Sequence, residues 1–514
     1  MLNREIQFDI ASMDFDILSD DDISTLDEFE LVENVHGDEQ RNTEMDDKIF
    51  FERSAQKYMK FTDKNPTTYH VIEYFKHRLL SSGFKYINEK ELLSDDIRKN
   101  IKEGGYFFTV RSNLSIVAFS IGGNWSPENG AAVVASHADA LAVKLKSTSL
   151  KKDVEGYNML GVANYSGSLS RCWIDRDLGI GGVVIAKQNG RVVKKLVSSA
   201  GYPVAKIPRL AEHFGDIADE PYNKETKMVP IIGYGEKPSA SESETKAPLY
   251  GKHPISLLRY VSSITSCSVE DILAIDLELF DVQASARGGL DHEFIFASRM
   301  DDRLCSFSNI EALVQHKEST EDQIKESDVF SIAAVFNSEE IGSRTTSGAQ
   351  STFLSATIER VLNAKNYSSN ERPLVYANSA ILSVDVTHAF NPDFADAYLP
   401  DHYPLPNTGV SVKVDPDGYV ATDAFGIALV EMVASRNDLK VQRFQRRNGT
   451  ASGSTIGPIL ATTTGARVID VGLPILSMHS IREASGYKEP GLGIRFFESF
   501  FRDWRQVKES MPDY

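Results

Sequence analysis

The sequence predicts an α/β fold in which a mainly parallel sheet is flanked by helices and interrupted by an inserted β-rich domain. Three observations support this fold class. From about residue 276 onward, apolar strand-like runs alternate with helical patterns, as they do in βαβ units. Between about residues 143 and 275, short β-like runs are separated by Gly and Pro. Clusters of His, Asp and Glu directly follow five apolar runs, at 131–135, 294–297, 332–336, 380–384 and 467–471.

The N-terminal segment, residues 1–46, is rich in Asp and Glu and contains no Pro, so we expect it to be disordered. Residues 15–18 and 29–32 each place an aliphatic residue three positions after a Phe, with acidic neighbours. Such a motif can add a strand to the sheet edge of a ubiquitin-like adaptor or autophagy receptor. The alternative is an acidic tail in which this short pattern occurs by chance.

The folded part is predicted to begin with helical patterns at 51–61 and 69–80 and with strands at 106–110 and 114–119. The inserted region carries strand-like runs at 179–184 and 192–197, and its residues 233–251 are predicted to form an exposed loop. Directly after Asp301, one apolar helix face is formed by Leu304, Phe307, Ile310, Leu313 and Val314.

Composition excludes several classes of function. The chain has 514 residues, enough for two or three domains, and a net charge of −18, which disfavours nucleic acid and anionic membranes as partners. Its three cysteines have no metal-finger or CxxC spacing, which indicates a reducing compartment. No apolar run reaches the length of about 18 residues that a membrane span needs, and no signal sequence is recognisable at the N-terminus.

The five clusters predict one metal site. In open α/β sheets, ligands bind outside the carboxyl ends of the strands, so clusters that follow strands are expected to meet there. Two imidazoles with several carboxylates suit a pair of zinc-like ions that activate a water, although magnesium or manganese remains the alternative. The candidate residues are His137, Asp139, Asp301, Glu339, Glu340, Asp385 and His479.

Two of these clusters suggest specific roles. A ligating His137 needs an acceptor for its second ring nitrogen, and Asp139 stands two residues on. Adjacent Glu339 and Glu340 repel each other, so one can bind metal while the other serves as a general base. The alternative for this pair is a helix N-terminus that favours acids. His388, three residues after Asp385, is a candidate for substrate contact.

Seven motifs carry a resemblance to a known family, and they lie at 64–71, 136–146, 173–182, 301–307, 338–343, 452–458 and 476–483. Over roughly residues 50–510 the chain resembles the aspartyl aminopeptidase and vacuolar aminopeptidase I family of dinuclear zinc metallopeptidases. It is most similar to the fungal vacuolar branch. The resemblance implies a zinc exopeptidase-like catalytic domain at 47–142 plus 276–514 and an inserted dimerisation domain at 143–275.

The resemblance also implies an activity and a set of site residues. Two Zn²⁺ per subunit would be held by His137, Asp301, Glu340, Asp385 and His479, with Asp301 bridging. Glu339 would be the general base, Asp139 the partner of His137, and a zinc-activated water the nucleophile. The expected reaction releases neutral residues such as Leu, or a broad range, from peptide N-termini. A deacylase on the same metal scaffold stays open.

The resemblance leaves specificity and location open. Acid-preferring members carry a Lys that pairs with the substrate carboxylate, and Lys413 stands at that position, whereas Val420 replaces the accompanying aromatic residue. An acid-preferring aspartyl or glutamyl aminopeptidase is therefore the alternative. The family further implies a dodecamer built from dimers, in which His213 of one subunit completes the site of its neighbour. The vacuolar branch implies cytoplasm-to-vacuole transport by an autophagy-like route, with a cytoplasmic enzyme as the alternative.

Overall fold

The computed structural model describes residues 39–218, 222–450 and 453–512. The motifs predicted at 15–18 and 29–32 lie outside the described residues. The first helix begins at Glu39, well before the predicted residue 51, so the end of the acidic segment 1–46 is helical. An ion pair of 2.5 Å between Asp47 and Arg495 ties this early part of the helix to the last helix of the fold.

Helices cover both faces of the largest sheet. The described residues form α1 (Glu39–Lys64), α2 (Thr68–Ser81), α3 (Asp95–Glu103), α4 (Ile255–Thr265), α5 (Met300–Thr320), α6 (Phe353–Ala364), α7 (Arg372–Ala377), α8 (Ala424–Arg436), α9 (Ile456–Thr464) and α10 (Glu489–Glu509). The apolar face predicted for residues 304–314 lies on α5 and is fully buried. Most polar side chains of α5 are buried as well, since the helix is packed between the sheet and α10.

The strands, also in chain order, form three sheets. They are β1 (Lys85–Tyr86), β2 (Gly105–Arg111), β3 (Ser115–Ile121), β4 (Ala132–His137), β5 (Ala142–Leu150), β6 (Tyr157–Tyr165), β7 (Leu178–Gln188), β8 (Arg191–Ser198), β9 (Ile231–Tyr234), β10 (Ile272–Asp281), β11 (Ala286–Gly288), β12 (Phe294–Ala297), β13 (Phe330–Phe336), β14 (Ala380–Val384), β15 (Thr387–His388), β16 (Val410–Lys413), β17 (Val441–Phe444), β18 (Arg467–Gly472), β19 (Pro474–Leu476) and β20 (Glu483–Gly486).

The largest sheet has nine strands in the order β1-β2-β3-β13-β4-β14-β18-β16-β17. Its centre, β13-β4-β14-β18, is parallel, and antiparallel pairs occur only toward the edges. The predicted α/β class with a mainly parallel sheet is therefore confirmed. Alternate residues of β4 face opposite cores, one formed with α1, α2, α5, α8 and α10 and the other with α3, α6, α7 and α9.

The second sheet is antiparallel and is drawn entirely from residues 142–281, in the order β8-β7-β10-β5-β6-β9. With α4 it encloses its own apolar core. Strand β10 continues past the predicted boundary at residue 275, because it pairs with β7 as far as Asp281 opposite Leu178. The inserted β-rich region is thus a sheet of its own, linked to the largest sheet directly after His137.

The third sheet corrects one expectation about the strands. Its order is β11-β12-β20-β19-β15, so the run at 294–297 forms β12 of a small separate sheet rather than a strand of the parallel one. His479 likewise follows β19 of this small sheet and not β18 directly. A short apolar run does not reveal which sheet it joins, because pairing partners are set by distant parts of the chain. No helix among the described residues has the length and apolarity to cross a bilayer.

Candidate metal centre

The candidate residues come together from two sheets. The parallel strands β4, β13 and β14 end at one edge of the largest sheet, where Phe336 stands opposite His137 in the register. The chain after β13 brings Glu339 and Glu340 to this edge, and the chain after β14 brings Asp385. The small sheet supplies Asp301 at the start of α5 and His479 after β19. All of them line or adjoin one cavity.

Asp301 lies between the two histidines. Its Oδ1 atom is 3.4 Å from Nε2 of His137, and its Oδ2 atom is 3.2 Å from Nε2 of His479. Asp385 Oδ1 lies 3.6 Å from Nε2 of His137, and Glu340 Oε2 lies 3.9 Å from Nε2 of His479. One carboxylate that faces two imidazoles with different oxygens has the geometry of a bridge between two ions.

The ligand atoms form two groups, each within 4.8 Å, one of His137, Asp302 and Asp385 and the other of Asp301, Glu340 and His479. Asp302 is an addition to the predicted set. In the first group its Oδ2 accepts the backbone N–H of His137 at 3.2 Å. The guanidinium of Arg303, the next residue in the sequence, donates to the backbone carbonyls of residues 65 and 66.

The residues present fit a pair of divalent cations. The Oδ1 atom of Asp302 and the Oε1 atom of Glu340 are buried and have no hydrogen-bond partner among the described residues. A buried carboxylate oxygen without a donor is costly, and a cation satisfies it. Nitrogen and oxygen donors in this mixture suit zinc, with two imidazoles favouring it over magnesium.

Asp139 organises the segment that carries the paired glutamates. Its Oδ1 accepts the backbone N–H of Glu339 at 3.1 Å, and its Oδ2 accepts that of Glu340 at 3.2 Å. The Nδ1 atom of His137 lies closer to the backbone carbonyl of Asp139, at 3.0 Å, than to its carboxylate Oδ1, at 3.4 Å. The side chain of Asp139 therefore supports the glutamate segment more directly than it supports the His137 ring.

Glu339 has the electrostatic surroundings of a general base. Burial raises its pKa to about 7, with His137 lowering it and Asp385 raising it further. Its Oε2 atom lies 3.9 Å from Nε2 of His137, and the side chain lines the cavity. A carboxylate with a pKa near neutrality can both accept and return a proton at physiological pH.

The other acids and the imidazoles show how charge is balanced here. Burial and the nearby charge of Asp301 raise the pKa of Glu340. Burial also raises the pKa of Asp301, but hydrogen bonds from His137 and His479 hold it below its ordinary range. Burial lowers the pKa of His137, and Asp139, Asp301 and Asp385 outweigh that effect, so it is raised. This concentration of acids around two imidazoles attracts cations.

Glu483 is a residue of the site that sequence reasoning missed. Its Oε2 accepts the backbone N–H groups of Met300 at 2.6 Å and Asp301 at 3.3 Å, and its Oε1 accepts that of His479 at 3.1 Å. Glu483 thereby holds the two segments that supply Asp301 and His479 to the second group. It stands four residues after His479 in the motif at 476–483, and that position was the only available signal.

The cavity beside the centre has a volume of about 400 Å³. Lys413 lines it, is only 7% exposed, and places its Nζ 3.6 Å from Oδ2 of Asp385. Burial lowers the pKa of Lys413, but Asp385 and Asp470 raise it more, so the ammonium is retained. His388 and Val420 line the same cavity, and the His388 ring lies 5.7 Å from that of Phe444.

His213 is not among the residues that line this cavity in the single chain. It is exposed and lies in the 3-10 segment Glu212–Ala218, between β8 and β9 of the second sheet. The structure thus brings together the predicted ligands, Glu339, Asp139, Lys413 and His388, and leaves His213 at the surface. Its role in a neighbouring site stays a prediction.

Comparison with known proteins gives consistent matches. The family profile described as Aminopeptidase I zinc metalloprotease (M18) matches residues 61–501. Vacuolar aminopeptidase 1 of Saccharomyces cerevisiae is 46% identical over 471 residues, covering 90% of each chain. Aspartyl aminopeptidase 1 of Schizosaccharomyces pombe is 33% identical over 465 residues, covering 89% of this chain and 96% of the relative.

Solved structures match as well. The crystal structure of prApe1 superposes with a TM-score of 0.86 at 44% identity, covering 92% of this chain and 99% of the other. The structure of the S. cerevisiae mApe1 dodecamer superposes with a TM-score of 0.81 at 42% sequence identity, covering 90% of this chain and 100% of the other. The Ape4 chain of a complex with Nbr1 superposes with a TM-score of 0.84 at 32% sequence identity, covering 90% of this chain and 89% of the other.

Proposed function

This chain belongs to the aminopeptidase I zinc metalloprotease (M18) family, is therefore a zinc aminopeptidase, and we propose that it releases neutral N-terminal residues such as Leu with Glu339 as its general base. The observation that carries the specificity is the ion pair between Lys413 and Asp385. A buried ammonium that already faces a carboxylate of the protein is a poor partner for a carboxylate of the substrate.

The residues that would hold zinc are His137, Asp301, Glu340, Asp385 and His479, and Asp301 faces both histidines. Zinc held by these residues would supply Lewis acidity, which would polarise the carbonyl of the scissile bond and lower the pKa of a water. Glu339 accepts the proton of the attacking water and passes it to the leaving amine. Asp139 fixes the backbone from which the side chain of Glu339 projects.

The wall of the cavity supports a neutral substrate side chain. Apart from Lys413, it includes the apolar side chains of Val386, Val414, Val420, Phe444 and Met478. The one guanidinium of the lining, that of Arg446, is held by Asp415 at 3.0 Å and by Asp417 at 2.5 Å. Both cations of the wall therefore face acids of the protein, and the five apolar side chains offer the contacts that a neutral side chain needs.

An acid-preferring aminopeptidase is the second candidate. Lys413 does line the cavity, and zinc bound at Asp385 would compete with Lys413 for that carboxylate. A lysine released from Asp385 could then pair with a substrate carboxylate. The relative from Schizosaccharomyces pombe is named an aspartyl aminopeptidase, in keeping with this candidate.

The deciding experiment compares hydrolysis of leucyl and glutamyl chromogenic amides by the purified full chain, with and without a chelator. The proposal expects chelator-sensitive activity with a kcat/KM for the leucyl substrate well above that for the glutamyl one. A preference for the glutamyl amide would place Lys413 in substrate recognition. Activity that persists after complete zinc removal would contradict the proposed centre itself.

We also propose that the chain assembles into a dodecamer in which His213 reaches the cavity of a neighbouring subunit. The similar S. cerevisiae protein is described as a dodecamer, and His213 is exposed in the segment between β8 and β9 of this chain. His213→Ala should then lower kcat while zinc content stays unchanged. The particle mass, measured by light scattering, should also stay unchanged. Unchanged kinetics in an intact dodecamer would remove His213 from the site.

For location we propose the vacuole, reached from the cytoplasm through a receptor that binds the motif at 15–18 or 29–32. The similarity to a vacuolar aminopeptidase and to the Ape4 chain of a complex with Nbr1 supports this proposal. Deleting residues 1–38, which precede α1, should abolish vacuolar delivery in cells while purified activity persists. A deletion variant that is still delivered would contradict the receptor role.

A further inference from the structure

Tyr165 is a polar contact from the second sheet to the residues around the proposed centre. It is the last residue of β6, and the antiparallel register places it opposite Ala142, the first residue of β5. Ala142 follows Asp139 by three positions, so this pairing brings the tyrosine over the chain that leaves β4. The hydroxyl of Tyr165 donates to Oδ2 of Asp139 at 2.9 Å.

Asp139 uses both carboxylate oxygens to hold the paired glutamates. Glu339 N–H donates to Oδ1, and Glu340 N–H shares Oδ2 with the tyrosine hydroxyl. Tyr165 is therefore a side-chain donor that holds this carboxylate at 2.9 Å, closer than the Nδ1 atom of His137 at 3.4 Å, whereas the N–H groups of Glu339 and Glu340 are the backbone groups that the carboxylate positions. A carboxylate that loses such a donor can turn about its Cβ–Cγ bond and release the groups bound to it.

The segment held in this way is conformationally demanding. Ser338, directly before Glu339, has a φ of +65°, a left-handed conformation that is uncommon outside Gly and needs support from its surroundings. The Tyr165 hydroxyl also contacts the side chain of Ser338. The tyrosine thus touches both the residue before the paired glutamates and the acid that accepts their N–H groups.

The ring of Tyr165 is itself fixed within the second sheet. The Nζ atom of Lys144 lies 5.8 Å from the ring centroid and pairs with Asp276 at 3.1 Å and with Glu278 at 3.3 Å on the neighbouring strand β10. Burial and the charge of Asp139 raise the pKa of the hydroxyl, which therefore stays protonated and remains a donor.

We propose that Tyr165 is a positioning residue for the aminopeptidase reaction, through which the inserted sheet fixes Asp139 and, through Asp139, the orientation of Glu339. The inference rests on the proposed role of Glu339 as the general base. It gives the inserted sheet a part in catalysis within its own subunit, separate from any contact between subunits.

The test is Tyr165→Phe in the full chain, which removes one oxygen and keeps the ring. We expect kcat on the leucyl amide to fall about 10- to 100-fold, the range typical for lost partners of site residues, with zinc content unchanged and KM changed by less than about threefold. Tyr106→Phe is the matched control, since the hydroxyl of Tyr106 hydrogen-bonds to that of Thr320 at 3.2 Å, a similar contact away from the cavity. An unchanged kcat for Tyr165→Phe would overturn the inference.

A double-mutant cycle separates action through Asp139 from a general structural effect. In an Asp139→Asn background, Tyr165→Phe should lower kcat by less than about twofold further, because the acceptor it acts through is already altered. If Tyr165→Phe lowers kcat by the same factor in the Asp139→Asn background as in the wild type, Tyr165 does not act through Asp139. Glu339→Gln is measured in parallel. If Glu339→Gln stays active, the proposed base is wrong, whereas an inactive Glu339→Gln beside a fully active Tyr165→Phe overturns the positioning role alone.

Discussion

The ammonium of Lys413 lies 3.6 Å from the carboxylate of Asp385, and both side chains line the cavity beside the proposed centre. One residue is the proposed specificity determinant of acid-preferring relatives, and the other is a proposed zinc ligand. Their pairing links substrate preference to the geometry of the centre, because a lysine that compensates Asp385 cannot at the same time compensate a substrate acid.

Lys413→Met should therefore damage the enzyme toward all substrates. We expect kcat on the leucyl amide to fall by about tenfold or more, because the substitution removes a buried charge that faces Asp385, one of the proposed zinc ligands. The ratio of leucyl to glutamyl kcat/KM should stay constant. Exposed Lys440→Met is the control, and a selective loss of glutamyl hydrolysis after Lys413→Met would favour the acid-preferring alternative.

Glu483→Gln should weaken zinc binding without unfolding the protein. Its carboxylate accepts three backbone N–H groups from the segments that carry Asp301 and His479, and an amide would present a donor to one of them. We expect affinity for one of two zinc ions to fall about 10- to 100-fold in chelator competition. Glu489→Gln is the control, because Glu489 is also buried and accepts the backbone N–H of Asn407 at 2.7 Å. Equal zinc affinity in both variants would contradict the positioning role of Glu483.

Acidification should lower the free energy of unfolding because His316 is a buried, neutral histidine. Burial lowers the pKa of His316 to about 4, from 6.5 in an unfolded chain, and its ring lies 5.8 Å from that of Phe501. Protons then bind the unfolded chain more readily, so the stability present above pH 6.5 is lost as the pH falls toward 4. The shift in the pKa of His316 contributes in full roughly 3 kcal/mol to the free energy of unfolding, at about 1.4 kcal/mol per pKa unit.

The measurement is urea denaturation at pH 7 and pH 5 of the wild type and His316→Gln. Between pH 7 and pH 5, the free energy of unfolding of the variant should fall by about 2 kcal/mol less than that of the wild type. His292→Gln serves as the control, because His292 is exposed. Identical pH dependence in wild type and His316→Gln would show that another group dominates the acid response.

The sequence reveals the ligand types of the site more readily than the contacts that orient them. His137, Glu340 and Asp385 follow strands of the parallel sheet, and their meeting at one edge is a consequence of strand direction alone. Asp301 and His479 follow strands of the small third sheet, whose existence depends on pairing between β12 and β20, almost 200 residues apart. Their convergence could be expected from chemistry but not from the single-sheet geometry assumed for them.

The supporting contacts are hidden for a related reason. The carboxylate of Asp139 receives the N–H groups of residues 200 positions away, and Tyr165 reaches it from another sheet. Local pattern carries no information about such distances. The direction of the Lys413 side chain is similarly invisible in the sequence, because one lysine can face either a substrate or a neighbouring acid, and only the fold decides between them.

The central claim is that Glu339 is the base of a zinc aminopeptidase centre. Its most direct test is the kcat of Glu339→Gln on the leucyl amide, measured with zinc content in the same preparations. We expect kcat to fall about 10²- to 10⁴-fold at equal zinc content, since Gln keeps the shape of Glu339 but cannot accept the proton. A Glu339→Gln enzyme that keeps full zinc content and wild-type kcat would contradict the claim.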